Sequence, residues 1–149
     1  MKPIKLLCLL LELMFLAAGC KEKPATALHQ AAIDGDIDKV RSLISRGADV
    51  NAKDDFVRTP LLRAVTEGHK DVAELLIANG AHVNAKGVTD STPLHMAAVG
   101  GQKSMAEFLI AKGADINVKD YLKRTPLVVA KLKGNTEIVE LLRKHGAKE

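Results

Sequence analysis

The sequence predicts an all-α solenoid of four stacked helix–turn–helix units, with β-hairpin-like fingers between them. The tripeptide Thr-Pro-Leu begins at Thr59 and returns at Thr92 and Thr125, 33 residues apart each time, with a weaker copy at Thr26. Two more series keep the same step: Gly47, Gly80, Gly113 and Gly146, and Asn51, Asn84 and Asn117. A fixed period of this size, kept without insertion or deletion, is typical of proteins built from stacked repeats.

The composition is that of a globular protein. The chain has 149 residues, of which 47% are hydrophobic and 27% are charged, which fits neither a disordered nor a collagen-like chain. The formal net charge of +4 is too small to indicate binding to nucleic acid. Both cysteines, Cys8 and Cys20, precede the repeats, so we expect the folded module to have no internal disulfide and no cysteine-based metal site.

The first twenty residues have the order of a secretory signal. Lys2 and Lys5 form a short basic region, residues 6–18 are mostly apolar, and small residues precede Cys20. The apolar run is shorter than the ~20 residues of a membrane-spanning helix.

Residues 16–20, Leu-Ala-Ala-Gly-Cys, also resemble the bacterial lipobox. This resemblance implies cleavage before Cys20 and lipid attachment to it. The lipid would hold the protein in the bacterial cell envelope, facing the periplasm. By the same resemblance, Lys21 rather than aspartate after the cysteine favours the outer membrane. Two alternatives are a soluble periplasmic or secreted protein with a free Cys20, and a signal retained as a membrane anchor.

These patterns predict three segments. Residues 1–19 form the predicted signal peptide, 20–25 the lipidated cysteine and a short tether, and 26–149 the repeat domain. The predicted units are 21–53, 54–86, 87–119 and 120–149.

Within each unit, local signals predict helix, turn, helix and finger, in that order. In the second unit Thr59 is a natural N-cap, and Pro60 fits the first helical position because its missing N–H is not needed there. Gly68 ends the first helix, since glycine adopts a left-handed backbone without a Cβ clash. The second helix is predicted at 70–78, and an extended finger follows at 81–91.

The residues of the outer units indicate caps. One face of the second helix is apolar in the later units but carries Lys39 and Ser42 in the first unit. At the other end, Arg143 stands where the other units have isoleucine. Solenoids need such polar outer faces for solubility. We therefore expect an array complete at four units and a monomeric protein.

The residues from Ser91 to Ala98, Ser-Thr-Pro-Leu-His-Met-Ala-Ala, followed by Gly101 and by Gly-Ala-Asp-Ile-Asn at 113–117, resemble the ankyrin repeat. The resemblance covers nearly all of residues 21–149. It implies an α-solenoid whose concave face, lined by the first helices and the fingers, binds another protein. It also implies a structural role for His29 and His95, with local bonds near the Thr-Pro-Leu turn.

One position departs from the family pattern. Ankyrin repeats usually have glycine two residues before the threonine, where this chain has Val57, Asp90 and Lys123. We therefore expect the finger turn to differ from the usual one.

Patterns for catalysis and metal binding are missing from the sequence. The histidines lack ligand spacing on one helix, the serines lack an elbow motif, and there is no glycine-rich phosphate loop. Asp34, Asp36 and Asp38 alternate as in a calcium loop, but no bidentate glutamate follows at the right distance. We expect a protein that is not an enzyme and has no cofactor, metal or small-molecule substrate.

The candidate site is therefore the surface of the first helices and fingers. Phe56 and Tyr121 stand at predicted finger tips, where exposed aromatic side chains act as anchors in protein interfaces. Basic neighbours such as Arg58 and Lys86 would form a polar rim. The alternative is that the tips fold over neighbouring fingers and the apolar helix residues pack inside the stack. The predicted protein-binding residues are Lys53, Phe56, Arg58, Arg63, Thr66, Glu67, Lys86, Met96, Val99, Tyr121, Leu122, Arg124, Leu132 and Lys133.

Together these observations predict a non-catalytic protein–protein interaction module, exported and lipid-anchored in the cell envelope. The expected partner is an unidentified folded protein. We expect no contact with nucleic acid, and membrane contact only through the lipid on Cys20. Two other functions remain open: an inhibitor, immunity or protective accessory protein of an envelope enzyme, and a secreted effector that acts on host proteins.

Overall fold

The computed structural model describes residues 24–148, which form four helix pairs and no β-strand. The pairs are α1 (Pro24–Asp34) with α2 (Ile37–Ser45), α3 (Pro60–Glu67) with α4 (Lys70–Ala78), α5 (Pro93–Val99) with α6 (Lys103–Ala111), and α7 (Pro126–Lys133) with α8 (Thr136–Lys144). This arrangement confirms the predicted all-α solenoid and the helix bounds predicted within the second unit. None of the described helices is both long and apolar enough to cross a membrane.

The predicted signal peptide at 1–19 and the lipid-attachment residue Cys20 lie outside the described residues. Helix α1 begins at Pro24, so the last residues of the predicted tether belong to the first helix.

The first helices begin where the threonine and proline signals predict. Thr59 accepts a hydrogen bond on Oγ1 from the backbone N–H of Leu62 at 3.3 Å, and Thr125 repeats this cap with Val128 at 3.4 Å. Proline occupies the first helical position in both helices. Each helix therefore starts at a residue chosen by its own local sequence.

The core is a continuous apolar layer that runs through the stack. The first helices contact one another in order, α1 with α3, α3 with α5 and α5 with α7. Two leucine rows lie at the 33-residue spacing and are at most 1% exposed: Leu28, Leu61, Leu94 and Leu127, and Leu76, Leu109 and Leu142. Each such leucine contributes about 2 kcal/mol of burial energy, but only if the neighbouring pair covers it.

The polar outer faces lie where the sequence predicts them. Lys39, Ser42 and Arg143 are exposed. By contrast Val72, Met105 and Ile138, which take the place of Lys39 in the later units, are at most 3% exposed.

The row of asparagines joins consecutive units. Asn51 donates from Nδ2 to the carbonyl of Gly80 at 2.9 Å and accepts on Oδ1 from the N–H of His82 at 2.8 Å. Asn84 repeats both bonds with the loop that follows α6, at 3.3 and 2.8 Å. A short side chain that donates and accepts at once is an asparagine amide, which explains why this residue recurs at the repeat spacing.

Three turns connect consecutive helix pairs, and we call them finger 1 (residues 54–58), finger 2 (87–91) and finger 3 (120–124). In each finger the fourth residue donates its N–H to the carbonyl of the first at 2.9–3.0 Å. The N–H of the first residue donates to the carbonyl of the fifth at the same range of distances. The fourth residues, Val57, Asp90 and Lys123, have φ angles of 55°, 54° and 61°.

All three fingers therefore have a left-handed backbone at the position where glycine is expected. A turn closed by a left-handed residue usually takes glycine at that position, and here the chain keeps the left-handed conformation without it. Asp90 tolerates this region, whereas Val57 is β-branched and is strained there. The inter-unit contacts hold the backbone in place despite this local cost.

Replacing Val57 with glycine is expected to raise the free energy of unfolding by about 1 kcal/mol. Relief of strain, ~1–3 kcal/mol, outweighs the unfolded-state entropy that glycine adds, ~0.5–1 kcal/mol. Urea denaturation followed by circular dichroism measures the change. The matched control is Val88→Gly, an exposed finger valine without positive φ, which should lose stability. If Val57→Gly and Val88→Gly lowered the free energy of unfolding equally, the proposed strain at Val57 would be contradicted.

Candidate functional site

Finger 1 is held by a single, largely buried carboxylate. Asp54 accepts backbone N–H bonds from Phe56 and Arg58 on Oδ1, both at 2.9 Å. Its Oδ2 accepts from Arg58 Nε at 3.2 Å and from Arg63 Nη2 at 2.8 Å. Asp54 therefore ties the turn to itself and to helix α3.

Finger 3 repeats this arrangement. Asp120 Oδ1 accepts from the N–H of Arg124 at 2.9 Å, and Oδ2 accepts from the guanidinium at 2.7 and 2.9 Å. Burial by itself would raise the pKa of Asp54 and Asp120. The hydrogen bonds and arginine charges outweigh it and hold both pKa values below the usual range.

These pairs change the role of three predicted binding residues. The sequence pattern predicts Arg58, Arg63 and Arg124 as part of a polar binding surface. In the structure they are partly buried. Arg58 and Arg63 share the carboxylate of Asp54, and Arg124 pairs with Asp120. They support the fingers from within, because their guanidinium groups are bound to the aspartates that hold the turns.

Finger 2 lacks this pair. Gly87 and Ser91 take the positions of the aspartate and the arginine, and the Thr89 and Ser91 hydroxyl groups bond to each other at 2.8 Å. The middle finger therefore has smaller side chains at its base than either neighbour.

An open groove of about 320 Å³ lies between fingers 1 and 2, and we call it the finger groove. The Arg58 guanidinium lies 4.5 Å above the centre of the Phe56 ring, at one wall of the groove. The residues around it are Phe56, Arg58, Leu62, Thr66, Gly87, Val88, Thr89, Ser91 and Met96.

The groove exists because fingers 1 and 2 are not joined as fingers 2 and 3 are. The N–H of Tyr121 donates to the carbonyl of Thr89 at 2.9 Å and connects fingers 2 and 3. Within the described residues, no backbone bond joins the equivalent pair, Val88 and Phe56. Gly87 has no side chain, so the space that the Asp120 side chain occupies in finger 3 stays open in finger 2.

The large hydrophobic side chains that are exposed among the described residues all belong to fingers or first helices. Seven large hydrophobic residues are exposed, and each belongs to a finger or to the end of a first helix. They are Phe56, Val57, Val88, Val99, Tyr121, Leu122 and Leu132. The second helices contribute none of them, so the large exposed hydrophobic residues are confined to the predicted binding face.

The two predicted aromatic anchors are exposed, Phe56 by 62% and Tyr121 by 73%. The alternative that they fold over neighbouring fingers is therefore wrong for both. Val99 is 42% exposed, while Met96 is half-buried beside the groove.

The other predicted residues divide between the groove and its surroundings. The groove brings together Phe56, Arg58, Thr66 and Met96. The predicted residues that are exposed but do not line it are Lys53, Glu67, Lys86, Val99, Tyr121, Leu122, Leu132 and Lys133.

Val88 is a surface residue that the sequence reasoning missed. It is 67% exposed and lines the groove. It lies 33 residues before Tyr121, so the repeat spacing that places Tyr121 at a finger tip could also have placed Val88 there.

His95 connects helix α5 to finger 3. It is 1% exposed, its Nε2 is 3.0 Å from the carbonyl oxygen of Arg124, and its Nδ1 is 3.2 Å from the backbone N of Thr92. Since a carbonyl requires a donor and an N–H requires an acceptor, this site fits the neutral ring. Burial lowers the pKa of His95, and the Arg124 bond and the Asp120 charge only partly offset it.

His29 makes the corresponding bond to the carbonyl oxygen of Arg58, at 2.7 Å. The predicted structural role of the two histidines is thus supported, and the structure adds that each of them reaches the next finger, 29 residues away.

Titratable groups at the fingers are engaged in the fold. Asp54, Asp120 and His95 each have their hydrogen bonds inside the fingers, so they hold the fold together. Among residues 24–148, no group of three or more histidine, cysteine, aspartate or glutamate side chains is placed to hold a metal.

A family model described as ankyrin repeats (3 copies) matches residues 4–87 and 85–149. Proteins with these repeats generally mediate protein–protein interactions and are typically not catalytic. Comparison with curated proteins gives no match.

Lowering the pH from 7.5 to 5.5 is expected to reduce the free energy of unfolding. The unfolded chain takes up a proton at His95 near pH 6.5, while the folded chain takes it up only at lower pH, so stability falls across that interval. Replacing His95 with leucine, the residue at equivalent position 62, should flatten this dependence even though it removes a bond. Urea denaturation at several pH values measures the slope.

The control for this variant is His82→Gln, at an exposed histidine, which should keep the pH slope of the unmodified protein. An unchanged slope in His95→Leu would show that the buried ring is not the group responsible. A second decrease in the free energy of unfolding is expected below about pH 4, where protonation of Asp54 and Asp120 releases fingers 1 and 3.

Proposed function

Because the chain belongs to the ankyrin repeat family, we propose that it is a non-catalytic, four-repeat protein-binding module held in the bacterial cell envelope by lipid on Cys20. It binds a folded protein partner through its concave face, the side formed by the first helices and the fingers.

The observation that carries this proposal is the one-sided distribution of exposed apolar residues. Monomeric proteins seldom keep contiguous apolar side chains in water unless a partner covers them, and aromatic residues are preferred anchors in interfaces. Phe56 and Tyr121 are exposed on different fingers, so a partner that contacts both must span the finger row. This geometry favours a macromolecule over a small ligand.

The hydrogen bonds that support the fingers favour binding as well. Asp54 and Asp120 hold fingers 1 and 3, and His29 and His95 bind the fingers to the preceding units. A surface held in this way loses little conformational freedom when a partner binds, so more of the contact energy contributes to affinity.

The proposed location rests on the sequence of the amino-terminal segment. Cleavage before Cys20 would leave residues 21–23 between the lipid and helix α1. Three residues span at most about 11 Å, so the module would stay beside the membrane surface.

Photo-crosslinking in intact cells tests the proposed binding face. A photoreactive phenylalanine analogue at position 56 or 121 should give protein adducts, because both side chains face the partner. The same analogue at Glu74 or Glu107, exposed on second helices α4 and α6, is the matched control and should give few. Equal adducts from both sides would contradict the proposal. One abundant partner at one-to-one stoichiometry would narrow it to an inhibitor or accessory protein.

The lipid anchor has its own test. Cys20→Ser should abolish incorporation of labelled fatty acid and move the protein from the membrane fraction to the soluble fraction, because lipid attachment needs the thiol. Cys8→Ser, at the other cysteine, is the matched control and should change neither result. Membrane association that survives Cys20→Ser would rule out this anchor, and protein released into the medium would favour a secreted effector.

A further inference from the structure

The exposed positive charge of the binding face is concentrated at its carboxyl-terminal end. Three exposed lysines lie here: Lys119 directly before finger 3, Lys123 on finger 3 and Lys133 at the end of helix α7. Within the described residues none of them has a carboxylate partner. Asp120 is the one carboxylate of finger 3, and it is bound to Arg124 at 2.7 Å. A negatively charged group brought to this end would therefore meet lysines that are not paired with a carboxylate.

At the amino-terminal end of the finger row, positive and negative side chains are balanced. Lys53 and Lys86 precede fingers 1 and 2, and these fingers also carry the exposed carboxylates Asp55 and Asp90. The binding face is therefore nearly neutral beside the finger groove and positive beside finger 3.

The finger groove supplies an apolar socket next to this charge. Its volume of about 320 Å³ is at the lower limit for ligand pockets, which suits one large side chain better than a cofactor. Phe56 and Val88 stand at its rim, and the backbone groups that would join these two residues remain open to a peptide.

The distance from the finger groove to Lys119, Lys123 and Lys133 can be expressed as a number of peptide residues. Neighbouring helices pack about 8–10 Å apart, so one to two repeat steps cover roughly 10–20 Å. An extended chain advances about 3.3 Å per residue and crosses that distance in about three to six residues.

On the premise that the proposed function holds, we propose that this face binds an extended acidic segment of the partner. One large apolar side chain of the segment fills the finger groove. Carboxylates about three to six residues away from it pair with Lys119, Lys123 and Lys133.

A defined peptide tests this recognition. The probe is a fluorescent synthetic peptide with one phenylalanine, a spacer of about three serines and three glutamates. Its binding to the purified full chain is measured by fluorescence anisotropy at low and high salt. We expect saturable binding that weakens with salt. It should also weaken about tenfold when serine replaces the phenylalanine or lysines replace the glutamates.

Variants at Gly87 locate the apolar contact. Gly87→Asn introduces a neutral copy of the side chain that fingers 1 and 3 carry and should reduce affinity about tenfold by filling the groove. Gly87→Ala is the control and should keep affinity, because a Cβ there meets Leu62 Cδ1 at an ordinary 3.5 Å. Equal affinity in both variants would exclude the groove as the socket.

Replacement of all three lysines by glutamine locates the charge contact. The triple variant at Lys119, Lys123 and Lys133 should weaken binding about tenfold and lose most of the salt dependence. The matched triple variant at three exposed lysines on the second-helix side should behave like the unmodified protein. Its positions are Lys39, Lys112 and Lys144.

Two results would overturn the inference. One is an absence of peptide binding while positions 56 and 121 still form protein adducts in cells. That result would support the proposed binding function and refute recognition of an acidic segment. The other is binding of phosphatidylglycerol vesicles that depends on the three lysines, without peptide binding, since the basic end would then be a membrane contact. Peptide binding without cellular adducts would instead count against the proposed function.

Discussion

The structure depends on one constraint: no helix pair can bury its apolar face unless the next pair covers it. The leucines at positions 28, 61, 94 and 127 are almost fully buried because consecutive first helices lie against each other. Asn51 and Asn84 add a directional bond to this contact, since each amide must reach a fixed carbonyl and N–H in the following unit. Burial therefore drives the stacking, and the asparagines help to set its register.

The candidate binding surface depends on the positions at which the repeats differ from one another. Fingers 1 and 3 share the same backbone and the same aspartate–arginine pair, whereas finger 2 has Gly87 and Ser91 at those positions. The missing pair opens a groove on one side of finger 2, and the Tyr121–Thr89 bond closes the other side. A regular array thus gains one distinct apolar socket from two small residues, without any change in the course of the chain.

The fingers also show how tertiary contacts override local preference. Val57 is held at positive φ although valine disfavours it, because the Asp54 bonds and the His29 bond to the Arg58 carbonyl hold the turn on both sides. Buried groups such as His95 and Asp120 act in the same way at finger 3. The rigid fingers contain local strain at Val57, and they keep the binding face ordered before a partner binds.

The sequence by itself determined the repeat period, the fold class, the helix start at Thr59 and Pro60, the helix end at Gly68 and the positions of the finger tips. Those features depend on residues within a few positions of each other or on a period that can be counted. Only the tertiary structure decided that Arg63 binds Asp54 instead of facing a partner, and that Phe56, Val88 and Met96 share a groove. Ion pairing and open space depend on which side chains from different repeats meet, and a gap between two fingers leaves no mark in either sequence segment alone.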